Sequence, residues 1–366
     1  MQAQRVHRST ALPAWVGTTG PAEDVVLSTR ARLARNVEGI PFPSRARNTD
    51  LRRVTEIVTN AVRDSEGRFG KLRIIHPEHM SWLDRRTLVD AHVASRQHVA
   101  GGNHRLVVVN EPATLSLMVN EEDHLRIQCI LPGFQPMTAL HMAGEFDAFL
   151  SGKIRYARAD NYGYLTSSLG NVGTGLRLSV LMHLAGLGFV REAASILTAA
   201  AELKTSVRGL FGEGTDAIGH LYQVSNATTI GFSEREIASR VRAAADHLIA
   251  RERGVRRGLA SDSEMLYAVE KAREKLMEAR TLNGRDAAVY LSILRLGSAL
   301  GVSSDLSLTD FNELLVSMHL GTTALSGGKG YRDTGSINDD MKRAKLIRAK
   351  LSEKREAGQL ALPEES

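Results

Sequence analysis

Polar and apolar residues alternate along the segment that follows three consecutive acids at 121–123. From 124 to 129, His, Arg and Gln alternate with Leu, Ile and Cys, and this period of two is typical of a strand with one buried face. If the strand extends back to Glu122, the carboxylate of that residue lies on the same face as the guanidinium of Arg126. An acidic hairpin turn that enters an ordinary strand explains the same pattern, so the alternation alone does not decide between a site and a turn.

Short runs rich in β-branched and apolar residues predict further strands. These runs are Leu72–Ile75, Leu106–Val109, Leu115–Val119 and Leu221–Ser225. With the alternating strand at 122–130, the first three predict a meander of antiparallel strands rather than alternating βαβ units.

Helical periodicity predicts helices in both halves of the chain, and those beyond residue 233 are longer and highly charged. The predicted helices are 49–69, 83–98, 139–150, 178–187, 189–203, 233–253, 263–281, 285–300, 308–319 and 339–351. The change of character predicts three regions, with the main boundary at a cluster of arginines near residue 255. They are a lead-in at 1–23, an α+β domain at 24–255 and a C-terminal helical domain at 256–366.

Length and charge narrow the class of protein. The 366 residues are enough for two domains and a substantial buried core. The formal net charge of +6 suits anionic ligands such as nucleotide phosphates, but no basic run with interleaved aromatics predicts nucleic-acid binding. No apolar run approaches the ~18 residues of a membrane span, and no apolar signal region begins the chain. We therefore predict a cytoplasmic protein that does not bind membranes.

Cysteine usage excludes two kinds of site. Cys129 is the single cysteine, so neither an intrachain disulfide nor a cysteine-based zinc cluster can form. Because it falls on the apolar side of the alternating strand, we expect a small core residue rather than a reactive thiol.

The segment 25–35 carries the first candidate for an anion site. In an extended conformation it would line one face with Ser28, Arg30 and Arg32. A solvated, amphipathic basic segment gives the same pattern, and this segment alone favours that alternative.

A glycine-rich stretch is the second candidate. Glycines at 170, 173 and 175 precede Arg177 and the helix predicted at 178–187, an order that would let backbone N–H groups approach an anion. The spacing is neither GxxxxGK[ST] nor GxGxxG, so a plain tight turn is the alternative.

Jointly, the motifs supply arginines and carboxylates that suit two different ligands. Arginine binds polyphosphate through a planar, always charged fork of donors, and paired carboxylates bind a guanidinium with the same geometry reversed. The candidate arginines are Arg30, Arg32, Arg126, Arg177 and Arg208. The candidate carboxylates are Glu122 and Glu213.

Four motifs occur in the order found in one known family. They are Ser-Thr-Arg-Ala-Arg at 28–32, Asn-Glu-Glu-Asp-His-Leu-Arg at 120–126, Asn-Val-Gly-Thr-Gly-Leu-Arg at 171–177 and Arg-Gly-Leu-Phe-Gly-Glu at 208–213. With these motifs the chain resembles the ATP:guanidino phosphotransferases, the phosphagen kinase family. The resemblance implies an α+β fold with a large antiparallel sheet flanked by helices. Within the family the chain resembles the bacterial protein arginine kinases, because the first motif leaves no room for an N-terminal helical domain and helical residues follow the catalytic region.

The resemblance also implies roles for individual residues. The five arginines would bind the ATP phosphates, and His92 would lie beside the adenine. Glu122 and Glu213 would hold the substrate guanidinium, one of them as general base. Mg²⁺ would accompany ATP without a dedicated protein cage, so no protein metal ligands are predicted. The full set of predicted ATP-binding residues is Ser28, Thr29, Arg30, Ala31, Arg32, His92, Arg126, Arg177, Leu178, Ser179, Val180, Leu181, Arg208, Gly209, Leu210, Phe211, Gly212 and Glu213.

Two positions depart from the family pattern. Ser168 stands where the family has its active-site cysteine, and a serine hydroxyl cannot supply an anion there, although it can orient the guanidinium by hydrogen bonding. In the last predicted helix, Asp339 replaces the first arginine of the Arg-Asp-x-x-Arg-Ala motif of protein arginine kinases. Asp340 and Arg343 match that motif and predict part of a phosphoarginine pocket, with a charged helix face as the alternative.

We therefore expect a kinase that transfers the γ-phosphoryl group of ATP to arginine side chains of proteins. A catalytically weak module that binds phosphoarginine proteins or an adaptor is the alternative, motivated by Ser168, and a small-molecule guanidino kinase is a third. The resemblance further implies a homodimer, an activator protein and coupling to a Clp-type protease.

Overall fold

A large antiparallel sheet dominates the first part of the chain. The computed structural model describes residues 13–65, 67–192, 203–209, 217–303, 306–322 and 337–360. The strands within these ranges are β1 (Val26–Arg35), β2 (Leu72–Ile75), β3 (Leu106–Asn110), β4 (Leu115–Val119), β5 (Leu125–Pro132), β6 (Arg158–Ala159), β7 (Gly163–Tyr164), β8 (Leu176–His183), β9 (Thr205–Gly209) and β10 (Leu221–Asn226). The order in the large sheet is β2-β3-β4-β5-β1-β8-β10-β9, while β6 pairs with β7. The predicted meander is confirmed in β2 to β5.

Helices flank the sheet and make up the C-terminal part. They are α1 (Ala14–Gly17), α2 (Asn48–Arg63), α3 (Trp82–Asp90), α4 (Arg96–Ala100), α5 (Pro136–Ser151), α6 (Ala185–Phe189), α7 (Glu234–Leu259), α8 (Ser263–Glu278), α9 (Gly284–Ala299), α10 (Leu308–Thr322) and α11 (Ile337–Leu360). A capping box begins α7, since Ser233 Oγ accepts from the Glu236 amide and the Glu236 carboxylate accepts from the Ser233 amide. No helix in the described ranges has the length and apolar character needed to cross a membrane.

One face of the sheet is apolar and packs against α5 and α7. Leu33 of β1, Phe146 of α5 and Val241 of α7 are fully or almost fully buried in this main core. Cys129 lies there too, and burial raises the pKa of its thiol to about 12. The predicted core cysteine is confirmed. On the opposite face, Val107, Val109 and Met118 pack in a separate apolar cluster with Leu88 of α3 and Val99 of α4, and the polar residues of β1, β5 and β8 lie on that face as well.

The C-terminal helices form a second core against the end of the sheet. Met265, Leu291 and Phe311 lie in it together with Leu221 of β10. A buried arginine of α9, Arg295, donates from Nη1 to Nδ1 of His183 at the end of β8, at 3.0 Å. Because α7 runs through residue 255, the division into domains at that point stays a prediction.

The helix predicted at 178–187 is wrong, since this segment contributes most of strand β8. Leu178 and Val180 are fully buried, whereas Arg177 and Ser179 alternate with them and point to the other face. Short runs of apolar residues suit either a helix or a strand by pattern alone. Pairing with β1 on one side and β10 on the other decides for the strand. Arg177 therefore does not begin a helix.

Other predicted bounds also change. The helix predicted at 83–98 divides into α3 and α4, and His92 between them adopts a positive φ of 58°, which is incompatible with a continuous right-handed helix. The strand predicted from Glu122 begins at Leu125. Most of the helix predicted at 189–203 lies outside the described residues.

Candidate active site

Five neighbouring strands of the large sheet place polar side chains on one face. In their order in the sheet they are β5, β1, β8, β10 and β9. Directly paired residues of antiparallel strands share a face. Arg32 of β1 pairs with Gln128 of β5 and with Arg177 of β8. Arg126 of β5 pairs with Ala34 of β1, which lies two residues after Arg32 and on the same face. The β1 and β5 arginines and Arg177 therefore converge although they come from distant parts of the sequence.

The same face continues to the sheet edge. Arg30 pairs with Ser179, and Ser179 pairs in turn with Ser225 of β10. Arg208 of β9 pairs with Gln223 of β10, so Arg208 lies on the edge strand of the sheet. Five arginines from four strands thus occupy one surface.

These arginines line a cavity of about 440 Å³. Its lining residues are Arg30, Arg32, Ala34, Glu121, Glu122, Asp123, Arg126, Ser168, Asn171, Gly175, Arg177, Arg208, Gly209, Gln223 and Ser225. The arginines predicted to bind phosphate and two of the three predicted catalytic residues, Glu122 and Ser168, are therefore brought together in one place.

Most of these guanidinium groups have no carboxylate partner. Within the described residues, no Asp or Glu forms an ion pair with Arg30, Arg32, Arg177 or Arg208. Burial, followed by the charges of Arg126 and Arg177, lowers the pKa of Arg30 to about 10. Burial and the neighbouring guanidinium groups also lower the pKa of Arg32, whose Nε is buried without a hydrogen-bond partner. A bound polyanion would relieve this repulsion and supply the missing acceptors.

Arg126 is the exception, because Glu121 holds it. Arg126 Nη1 lies 2.5 Å from Glu121 Oε2, and Ser95 donates a hydrogen bond to the other carboxylate oxygen. Burial opposes ionisation of Glu121, but Arg126 and the two hydrogen bonds lower its pKa overall. Glu121 therefore orients Arg126, a role that the sequence analysis did not assign. The three consecutive acids indicate a turn, but their residue types do not indicate that Glu121 binds an arginine while Glu122 faces the cavity.

The acidic turn before β5 is fixed from three sides. Asp123 Oδ1 accepts from Asn36 Nδ2 and from the Ser167 amide, both at 2.7 Å. Ser167 Oγ donates to the carbonyl of Glu122 at 2.7 Å. His124 is fully buried in the turn, where its Nδ1 accepts from the Val37 amide. Glu122 is aimed into the cavity by this turn and not by the strand alternation that the sequence suggested.

Ser168 reaches the cavity from the segment that fastens the turn. It follows Ser167 directly, and its carbonyl accepts from Thr166 Oγ1 at 2.8 Å and from the Asn171 amide at 3.0 Å. The hydrogen bond from Ser167 to Glu122 keeps the two segments in register. Ser168 and Glu122 therefore line the same part of the cavity wall.

The glycine-rich stretch turns tightly into β8. Gly175 adopts a φ of +65°, and a Cβ there would lie 2.6 Å from both the Ala34 carbonyl oxygen and Arg35 Nη1. This close approach requires glycine. The stretch is therefore a tight turn, which was the alternative to an anion site at the start of a helix. Asn171 and Gly175 of this turn nevertheless line the cavity.

Several predicted ATP-binding residues face away from the cavity. Leu178 and Val180 pair with Ala31 and Thr29, and all four lie on the core side of the sheet. Thr29 Oγ1 donates to the Gly133 carbonyl at 2.7 Å. Leu181, another β8 residue predicted to bind ATP, pairs with Ser28 on the polar face. The core-side residues can contribute only through the backbone, and their role in ATP binding stays a prediction.

His92 lies outside the lining of the cavity but close to the arginine face. Its carbonyl accepts from Gln128 Nε2 at 2.6 Å, and Gln128 pairs with Arg32. The imidazole ring stands edge-on to the ring of Trp15, with centroids 5.2 Å apart. This position at the β5 side of the cavity agrees with an adenine neighbour.

Some predicted residues cannot be placed. Leu210, Phe211, Gly212 and Glu213 lie outside the described residues. The second predicted carboxylate is therefore not located, and its role stays a prediction.

Asp340 and Arg343 lie at the start of α11, within the second core. Arg343 Nη1 donates to Asp340 Oδ1 at 2.7 Å and to the Leu282 carbonyl at 2.6 Å. The Arg343 side chain is only 3% exposed, and among the residues that the structure describes its Nε and Nη2 have no hydrogen-bond partner. The arrangement is therefore more than a charged helix face in solvent.

Comparison with known proteins agrees with this site. Residues 53–255 match the ATP:guanido phosphotransferase, C-terminal catalytic domain, and residues 263–360 match the Protein-arginine kinase McsB C-terminal domain. The chain is 35% identical to the protein-arginine kinase of Halothermothrix orenii, covering 92% of this chain and 96% of the relative. It is 39% identical to that of Desulforamulus reducens, covering 92% and 95%.

Solved structures share the fold. The chain is similar to the duplicated taurocyamine kinase from Schistosoma mansoni with bound transition state analog components, at 26% identity and a TM-score of 0.59 over 67% of this chain. It covers only 35% of that duplicated enzyme. A lombricine kinase has a TM-score of 0.58 at 24% identity, over 68% of this chain and 72% of that one. The family matches, the relatives and the cavity together show that the chain belongs to the ATP:guanido phosphotransferase family.

Proposed function

We propose that this chain is a kinase that transfers the γ-phosphoryl group of ATP to the guanidinium of arginine side chains in proteins. The observation that carries the proposal is the cavity, where four arginines that have no carboxylate partner within the described residues line one space with Glu122 and Ser168. Relatives named protein-arginine kinase match almost the whole chain, which favours a protein substrate over a small guanidino compound.

The arginine face is suited to the donor side of the reaction. Arg30, Arg32 and Arg177 present donors that the described residues do not satisfy with carboxylates, as a triphosphate requires. Arg126, held by Glu121, cannot swing away from the phosphates. Charge on the transferring group is thereby neutralised by groups already in position, and one arginine in such a role can contribute ~10³–10⁵ in rate.

Glu122 is suited to the acceptor side. Partial burial, followed by the charges of Asp123 and Glu121, raises the pKa of Glu122, which makes it a better base than an ordinary glutamate. The substrate nitrogen attacks the γ-phosphorus, the bond to the ADP oxygen breaks, and the proton of that nitrogen passes to the carboxylate. Glu213 is proposed as the second carboxylate on the family resemblance alone.

Mg²⁺ is proposed to enter with ATP. Of the carboxylates that line the cavity, Glu121 is paired with Arg126 and Asp123 accepts two hydrogen bonds. The donor set therefore fits an ion held mainly by phosphate oxygens and water, which leaves Glu122 to the substrate guanidinium. When bound, Mg²⁺ neutralises phosphate charge.

Ser168 is proposed to orient the guanidinium by a hydrogen bond, in place of the family cysteine. An alcohol stays neutral at physiological pH, whereas a thiolate near cations adds a negative charge. The substitution therefore predicts weaker stabilisation of the substrate cation. The second candidate function, a weak enzyme that mainly binds phosphoarginine proteins, is favoured by this position.

We also propose that Asp340 and Arg343 form part of a phosphoarginine pocket. Nε and Nη2 of Arg343, which have no hydrogen-bond partner within the described residues, would donate to phosphate oxygens in the bidentate geometry that arginine favours. The proposals of a homodimer, an activator protein and coupling to a Clp-type protease rest only on the resemblance to protein arginine kinases, and the cytoplasmic location stays a prediction from the sequence.

The test is phosphoarginine formation on casein with Mg-ATP, with free arginine as a competing substrate class. We expect acid-labile labelling of casein by the wild type and a loss of ~10²–10⁴-fold in Glu122→Gln, the usual effect of removing a general base. Glu56→Gln, on the exposed face of α2, is the matched control and should keep full activity. Ser168→Cys should raise the rate.

Three other results would change the proposal. Equal phosphorylation of free arginine would favour a small-molecule kinase. A silent wild type with an active Ser168→Cys would favour the binding module. Full activity of Glu122→Gln would show that the cavity carboxylate is not the base.

A further inference from the structure

A turn outside the cavity gathers two histidines and a glutamate. His76, Glu78 and His79 lie between strand β2 and helix α3, and one ligand atom from each lies within 4.8 Å of the other two. His76 Nδ1 and His79 Nε2 are each 3.9 Å from Glu78 Oε1. These separations are too long for hydrogen bonds, so mutual hydrogen bonding does not explain why the three groups face each other.

Glu78 adds an independent observation. Its Oε2 is buried and has no hydrogen-bond partner in the described part of the chain, although the side chain as a whole is 28% exposed. A buried carboxylate oxygen without a donor is costly. A cation held between the imidazole rings and Oε1 would neutralise the charge of this carboxylate.

The backbone of the turn is rigid, whereas the two rings can move. Residues 77–79 form one turn of 3₁₀-helix, in which the His79 amide donates to the His76 carbonyl at 3.1 Å. Arg85 ties the turn to α3 by donating to the carbonyls of Glu78 and Met80 at 3.1 and 3.2 Å. The imidazoles themselves are largely exposed, so they can approach a metal ion without disturbing the fold.

We propose that His76, Glu78 and His79 bind one divalent transition-metal ion, with Zn²⁺ as the ion of choice. Zn–N and Zn–O bonds of ~2.0–2.2 Å in a tetrahedron place the ligand atoms about 3.3–3.5 Å apart. The two glutamate–histidine separations of 3.9 Å therefore need to contract by about 0.5 Å. The two imidazole nitrogens, which lie within 4.8 Å of each other, need to approach by about 1.5 Å at most, a movement that the exposed rings allow. Water would complete the coordination.

The chemistry of the ligands separates this ion from the Mg²⁺ of phosphoryl transfer. Imidazole nitrogen suits Zn²⁺, Ni²⁺ and Cu²⁺, whereas Mg²⁺ prefers oxygen ligands in an octahedron. The sequence predicts no protein metal ligands, because the expected Mg²⁺ is held by ATP phosphates and water, and the His-Pro-Glu-His spacing at 76–79 belongs to a separate site. The metal would stiffen the connection from the edge strand to α3, the helix that leads to His92.

The experiment is titration of the tag-free, chelator-treated full chain with ZnCl₂ by calorimetry. His76→Ala/His79→Ala is compared with a control double variant, His141→Ala/His247→Ala, whose histidines are exposed on α5 and α7. We expect one site in the wild type and the control, and at least 10-fold weaker binding in the His76/His79 variant. At 100-fold excess over Kd, Zn²⁺ should raise the Tm of the wild type by about 2–5 °C. Circular dichroism checks that each variant is folded.

Two readouts decide the proposal. Co²⁺ in place of Zn²⁺ should give the intense visible absorption of a tetrahedral site with nitrogen and oxygen ligands, and Glu78→Gln should weaken that band. Equal Zn²⁺ affinity in the wild type and the folded His76/His79 variant would overturn the assignment. So would an unchanged Co²⁺ spectrum in Glu78→Gln.

Discussion

The buried ion pair between Arg35 and Asp147 should make a large contribution to the stability of the catalytic sheet. Arg35 ends β1, and its side chain is 0% exposed. Its Nη2 lies 2.7 Å from Asp147 Oδ2, and its Nε lies 3.1 Å from both carboxylate oxygens. Nη1 donates to the carbonyls of Ala34 and Thr174, and the guanidinium lies 3.7 Å from the centre of the Tyr164 ring. Every part of the guanidinium is therefore in contact with a fixed partner.

The perturbation is Asp147→Asn, which keeps the shape and removes the charge. Breaking a buried pair by removing one partner costs ~3–5 kcal/mol, because the other charge stays buried and uncompensated. Glu234 moderates the loss, since its Oε1 lies 3.4 Å from Arg35 Nη2. Burial raises the pKa of Glu234, and the charge of Asp147 adds to this effect while Arg35 opposes it. Removing Asp147 lets Glu234 ionise more readily, so we expect about 3 kcal/mol, the lower end of that range.

Urea unfolding at neutral pH measures the effect. With an m-value of about 2–3 kcal/mol/M, the midpoint of Asp147→Asn should fall by about 1–1.5 M. Glu56→Gln is the matched control, because Glu56 pairs with Arg52 at 2.9 Å but both side chains are at least 60% exposed. An exposed pair of this kind contributes ~0–1 kcal/mol.

Two results would refute the reasoning. If Asp147→Asn shifts the midpoint no more than Glu56→Gln does, burial has not made the pair important. The double variant Arg35→Met/Asp147→Leu tests the local role, since apolar replacement of both partners should restore stability to within about 1 kcal/mol. It should nevertheless lower phosphoryl transfer, because no donor would then hold the Thr174 carbonyl beside the cavity turn. Unchanged transfer would show that Arg35 does not position the turn.

Two further predictions concern acid stability and the second pocket. Burial lowers the pKa of His98 to about 4. As the pH falls, the unfolded chain therefore binds a proton at this histidine at a higher pH than the folded chain does. The free energy of unfolding should fall between about pH 6.5 and pH 4, by up to ~1.4 kcal/mol per pH unit. Urea unfolding at pH 7, 6 and 5 should show a smaller slope in His98→Gln, and an unchanged slope would contradict this cause. Arg343→Ala should weaken phosphoarginine binding at least tenfold in calorimetry, whereas Lys342→Ala, on the exposed side of α11, should not; equal weakening would contradict the pocket.

The local pattern predicts those strands whose ends are marked by turn residues. Leu72–Ile75 and Leu115–Val119 are predicted as strands and are strands with the same bounds, since β-rich runs between turn residues have few alternatives. Strand β8 is predicted as a helix because its apolar run suits either element by pattern alone. Pairing with β1 on one side and β10 on the other identifies it as a strand.

The site could be predicted as a set of residue types but not as a geometry. The arginines were found from motifs, yet their convergence depends on the register of β1 against both β5 and β8. Glu122 was placed for the wrong reason, by extending a strand that begins three residues later. The contacts that aim it come from Asn36 and Ser167, which are distant in sequence and carry no catalytic signature.

The two adjacent glutamates show most clearly why residue type alone does not assign a role. Glu121 lies beside Arg126 and Ser95, and despite burial its pKa is lowered, so it stays charged and serves as a fixed anchor. Glu122 has no such partner within the described residues, and partial burial with two acidic neighbours raises its pKa. One carboxylate is therefore stabilised as an anion and the other is kept ready to accept a proton. The turn that contains both residues creates the two environments. Glu121→Gln should therefore impair phosphate binding more than it impairs proton transfer.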